Sequence, residues 1–196
     1  MAMTRVRVVA HASAPLTVFL ALVGCSGGET PPPATTSSAT AAPTTTAPAP
    51  TAEELAEEAA TTAFTELLRV TDAARQDPRA RDWEPEIRRY AGDPAAYLTV
   101  QSVRDRATLG LRQVGDSQVD IRGADVDLAA PQGPTVAITG CYDSQSAQVV
   151  RVDTGEAVPP GTPPRYVWNI TVIHYRSEPG EPWLVSTLEP LTDQPC

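Results

Sequence analysis

Arg165-Tyr166-Val167-Trp168-Asn169-Ile170-Thr171-Val172-Ile173-His174-Tyr175 is the stretch that decides the fold. Most of its side chains are β-branched or aromatic, the types that fit a pleated, half-buried surface. It reads as a strand from Arg165 to about Arg176, the strongest in the chain. Downstream, Glu178-Pro179-Gly180 makes a turn, and Trp183-Leu184-Val185-Ser186-Thr187-Leu188 is the last strand. Upstream lie a Pro-rich loop from Val158 to Pro164, a turn at Asp153-Thr154-Gly155, and a short strand at Gln148–Val152. Before them come a strand at Thr135–Tyr142 and a β-like stretch through Val119, Ile121, Val126 and Leu128, where Gly123 suggests a bulge.

Ahead of Gly110 the apolar period is that of a helix. Leu55, Ala59, Ala63, Leu67 and Val70, with Phe64 and Leu68 beside them, form one stripe. Thr51-Ala52-Glu53-Glu54 is a capping box that opens this helix, and Asp77-Pro78 stops it near Gln76. A shorter helix starts at Asp82-Trp83-Glu84-Pro85-Glu86, with Ile87, Tyr90 and Ala91 facing inward. A third runs from Pro94 to about Leu109 and presents Arg104, Asp105 and Arg106 as a solvated face. Helices followed by a run of strands predict an α+β domain over residues 51–196, with the helices packed on a mainly antiparallel sheet.

Residues 1–24 read as a signal peptide. Arg5 and Arg7 form a positive start, and Val8 to Val23 is an apolar run too short to span a bilayer comfortably. Leu22-Val23-Gly24-Cys25 resembles a bacterial lipobox, which implies diacylglyceryl attachment at Cys25 and anchoring on the extracytoplasmic face of the cell membrane. Residues 25–50 are rich in Thr, Pro and Ala with no large apolar side chain, so they read as a disordered tether. The chain carries a formal charge of −9 at pH 7, which argues against nucleic acid and against adhesion to anionic headgroups. It has no lysine, which with abundant Ala, Thr and Pro suggests a high-GC, actinobacterial-type genome.

With Cys25 consumed by lipid, Cys141 and Cys196 remain and allow one pairing in an oxidising compartment. Closing a loop of about 55 residues stabilises the fold by roughly 4 kcal/mol on the chain-entropy account. The two lack the C-x-x-C spacing of a redox pair.

Enzyme signatures are sparse. Past the signal the one histidine is His174, which cannot form a zinc site by itself, so no metal and no cofactor are expected. There is no G-x-S-x-G elbow, phosphate loop or dinucleotide fingerprint. Asp116, Asp120, Asp125 and Asp127 lack calcium-loop spacing and read as a solvated acidic strand edge. Asn169-Ile170-Thr171 matches a glycosylation sequon, discounted for its place in a strand. Tyr142, Tyr166, Trp168, Tyr175 and Trp183 are core residues or the lining of a pocket. The candidate pocket set is Tyr142, Asp143, Trp168 and His174.

The element order, with final strands Tyr-Val-Trp-Asn-Ile-Thr-Val and Trp-Leu-Val-Ser-Thr-Leu, resembles the nuclear-transport-factor-2-like (SnoaL-like, cystatin-like) fold. The Val136–Asp143 stretch and the cysteine beyond the final Trp-x-Val strand resemble small secreted actinobacterial lipoproteins of uncharacterised function. The resemblance implies a curved, cone-like sheet over residues 51–196. It leaves activity open, because this fold hosts enzymes, binders and scaffolds. Asp143 and His174 are the nearest counterparts of the family's acid–base pair. The expected function is a membrane-anchored, non-enzymatic binding or accessory module for another envelope protein or a small apolar ligand. The alternatives are a small hydrolase or isomerase using a pocket acid with His174, and a phage-borne surface lipoprotein that blocks infection.

Overall fold

The structure, a computed structural model, describes residues 49–196. The signal peptide, Cys25 and all but the end of the tether lie outside the described residues. Helix α1 (Ala52–Gln76) opens with the expected capping box: Glu54 N donates to Thr51 Oγ1, and the Glu54 carboxylate accepts from Thr51 N at 2.7 Å. It stops at Asp77, just before the proline. Helix α2 (Glu84–Ile87) is one turn, and α3 (Ala95–Leu109) ends at Gly110, whose φ of 64° suits a residue without Cβ.

Strands follow: β1 (Leu111–Val114), β2 (Gln118–Asp127), β3 (Thr135–Asp143), β4 (Gln148–Arg151), β5 (Arg165–His174) and β6 (Trp183–Leu191). The main sheet has the order β2-β3-β5-β6 and is antiparallel throughout, while β1 and β4 pair as a separate two-stranded ribbon. This is the α+β arrangement of helices on a mainly antiparallel sheet. The sheet lies open, with β2 and β6 as its edges. Two register shifts bend it, one at Arg122 on β2, next to Gly123, and one at Ser186 on β6.

Alternation along β3 and β5 fixes the two faces of the sheet. Val136, Ile138 and Tyr142 on β3, with Tyr166, Trp168, Ile170 and Val172 on β5, point into the core with Phe64, Leu67 and Val70 of α1. Gly140 faces Trp168 in the register, and a Cβ on it would lie 2.6 Å from Val119 Cγ1. Cys141 points to the opposite face, where it is disulfide-bonded to Cys196 with a Cα–Cα distance of 5.8 Å. Asp120, Asp125 and Asp127 are exposed on the edge strand β2, as the acidic-edge reading expects.

Three details depart from the sequence reading. The buried face of α1 runs through Ala56, Ala60, Ala63, Leu67 and Ala74, whereas Leu55 is half exposed. Alanine is common on both faces of helices, so the larger Leu55 drew the stripe off by one position. Strand β1 has a single buried residue, Gln113, and so carries no alternating apolar signal. Arg106 does not belong to a solvated face. Thr99 and Val103 fix the buried side of α3, and Arg106 follows them at i+7 and i+3, so it turns inward.

Candidate functional site

At the end of the main sheet where β3 finishes and β5 begins, the β1–β4 ribbon stands apart and leaves a cleft of about 930 Å³. Its inner wall is aromatic. The Tyr142 and Trp168 rings stack with centroids 4.5 Å apart and planes 6° from parallel, and Tyr166 tilts against both at 5.3 and 6.5 Å. Phe64 supports Trp168 from behind at 6.4 Å. The lip is formed by the β3–β4 turn and the Pro-rich loop before β5. Gly115 lets the chain pass this turn. It has φ +81°, and a Cβ there would lie 1.8 Å from the Ser146 carbonyl oxygen.

The last turns of α1 and α3 each send one arginine, Arg75 and Arg106, to this cleft. Cations suit the C-terminal end of a helix. Neither guanidinium is ion-paired among the described residues, and both Nε atoms are buried without a hydrogen-bond partner. Burial first, then the neighbouring Arg75 charge, hold Arg106 below the ordinary arginine pKa. The Trp168 indole N–H is likewise buried without a well-aligned acceptor. Burial raises the pKa of the Tyr166 phenol, and the adjacent Trp168 side chain offsets this in part.

One carboxylate is near but already engaged. Asp72, buried on α1, accepts from Gln113 Nε2 at 2.8 Å, Ser117 N at 2.7 Å and Ser117 Oγ at 2.9 Å. These contacts give both carboxylate oxygens a donor. The cluster ties α1 to both ends of the β1–β2 connection and so sets the position of the ribbon wall. Asp105, at the rim, is exposed and accepts from Gln101.

The four candidate pocket residues divide into two groups. Tyr142 and Trp168 form the cleft wall. Asp143 caps the β3–β4 turn, accepting from Gln145 N at 2.8 Å, with Arg165 Nε 3.4 Å from its other oxygen. His174 lies at the opposite end of the sheet. Its N–H bonds the Pro134 carbonyl, and its ring stacks on Trp183 at 4.8 Å. Asp143 and His174 are nine positions apart along the β3 register, about 30 Å at ~3.4 Å per residue. They do not form an acid–base pair. Sequence reasoning missed Arg75 and Arg106. The signal was present in the helical spacing Thr71–Arg75 and Thr99–Val103–Arg106, which continues two buried faces into charge.

Among the described residues no group of three or more His, Cys, Asp or Glu side chains stands ready to hold a metal ion. No protein-family profile matches the chain, and no curated protein sequence matches it. Solved structures with a similar course include the crystal structure of the intermembrane space region of chloroplast protein ARC6. It has a TM-score of 0.44 and 12% identity, over 69% of this chain and 95% of that one. A likeness at that level carries no functional reading.

Proposed function

We propose that the chain is an exported, lipid-anchored binding module whose cleft takes a small ligand, and that its domain is kin to nuclear-transport-factor-2-like proteins. One observation carries the binding part: a cleft of about 930 Å³ backed by the Tyr142–Tyr166–Trp168 cluster. That volume falls in the range of small-molecule sites, and the lining joins an aromatic wall to many polar side chains. The hydrolase or isomerase reading loses its named pair, because Asp143 and His174 sit at opposite ends of the sheet. Anchoring rests on the order of features around Cys25. No helix among the described residues is long and apolar enough to cross a membrane.

A thermal-shift screen of the full lipoprotein in detergent tests the binding reading. A ligand at 100 times its Kd stabilises the native state by about 2.7 kcal/mol. Ser102→Trp, which fills the cleft from α3, removes that shift. A shift that persists in Ser102→Trp places the ligand elsewhere and overturns the reading. For anchoring, metabolic labelling with a palmitate analogue marks the wild type and not Cys25→Ala; equal labelling refutes it.

A further inference from the structure

We infer that the cleft selects ligands bearing an oxyanion on a flat aromatic body, with Arg75 and Arg106 gripping the anion and Tyr166 and Trp168 packing the body. This rests on the cleft being a binding site. The argument begins with donor and acceptor counts. A guanidinium and an indole N–H only donate hydrogen bonds. Arg75 and Arg106 line the cleft from α1 and α3, each with a buried Nε that has no partner, while the Trp168 indole N–H on β5 lies beside the Tyr166 hydroxyl. Buried donors of this kind call for acceptors, and a ligand oxyanion supplies several at once in the geometry a guanidinium fork matches.

The charges around the pair point the same way. The chain is acidic overall, yet the two arginines are neighbours with like charge. Asp72 acts on Arg106 through its charge but gives its hydrogen bonds to Ser117 and Gln113. Asp105 stands at the rim in solvent, engaged by Gln101. The Tyr166 phenol, its pKa raised by burial, is neutral at physiological pH. Among the described residues no carboxylate forms an ion pair with the two cations, and an anionic ligand group relieves their repulsion. The helix C-termini explain one arginine each. They do not explain why two helices deliver them to the same aromatic cleft.

Two dyes with the same ring system separate the anion from the aromatic body: 1-anilinonaphthalene-8-sulfonate and the neutral N-phenyl-1-naphthylamine. Fluorescence titration of the full lipoprotein is expected to give at least tenfold tighter binding of the sulfonate. Arg75→Gln and Arg106→Gln each bring the two dyes to within about threefold, with near-UV circular dichroism unchanged. Arg104→Gln, on the outer face of α3, leaves the preference intact. Equal binding of both dyes by the wild type, abolished by Ser102→Trp, overturns the anion inference and keeps the cleft. Binding of neither dye, or binding that survives Ser102→Trp, counts against the cleft itself. A sulfonate preference that Arg75→Gln and Arg106→Gln leave untouched also overturns the inference.

Discussion

Asp72 and Arg75 lie one turn apart on α1, and both are charged groups drawn partly or wholly out of water. Around Asp72 both carboxylate oxygens have donors, supplied by the Gln113 and Ser117 side chains and the Ser117 backbone amide. Around Arg75 and its neighbour Arg106 the nitrogens nearest the core have none. The first region is polarity used as a fastener, closed on itself. The second is polarity left open beside a cavity. The difference separates structural from functional polar groups here better than residue type does, because a fastener is complete without any other molecule.

The comparison can be broken in several ways. The disulfide sets the scale. Cys141 lies on the outer face of the same strand as Tyr142, and Cys196→Ser is expected to cost about 4 kcal/mol of unfolding free energy in denaturant titrations. Asp72→Ala follows at about 3 kcal/mol, because it leaves the buried Ser117 amide and hydroxyl without their acceptor and takes one of two acceptors from Gln113. A loss under about 1 kcal/mol would mean the fastener is not one. Arg106→Gln should act in the opposite sense. It removes a desolvated charge with a like-charged neighbour, so stability is unchanged or rises, by less than about 1 kcal/mol given the group's partial exposure. A clear destabilisation would show that Arg106 is part of the scaffold after all.

The smallest effect concerns pH. The Tyr166 phenol has its folded pKa above the ordinary value of 10.0, chiefly through burial. Its contribution to stability is therefore fully present below pH ~10 and is lost as pH rises from there through the folded value. The wild type should lose stability in that window more steeply than Tyr166→Phe, measured by urea midpoints from pH 9 to pH 11.

The elements were legible where one physical signal dominated. The capping box and Asp77-Pro78 mark both ends of α1. The β-branched run at Arg165 marks β5, and Glu178-Pro179-Gly180 marks the turn into β6. Strand β1 was not legible, because a four-residue ribbon strand with one buried glutamine is held by pairing with β4 and by the Asp72 contacts, both long-range. Half of the site was legible for the same reason. Tyr142 and Trp168 stand out as large aromatics in strands. Asp143 and His174 look suggestive as residue types, yet the antiparallel register of β3 and β5 sends them to opposite ends. Arg75 and Arg106 were hidden because a lone arginine near a helix end ordinarily faces water, and only packing of α1 against α3 and the ribbon turns both inward.

Helix α1 also fixes where the cleft can be reached from. Its 25 residues rise about 1.5 Å each, so the cap at Thr51 stands roughly 36 Å along a stiff rod from Arg75. The chain enters the domain at the far end of that rod, so a fluorophore or sensor-chip linkage made at Thr51 starts from there. Immobilising the protein through its N-terminal side should leave the arginine end unobstructed, and a dye placed there should report on ligand arrival through distance rather than contact.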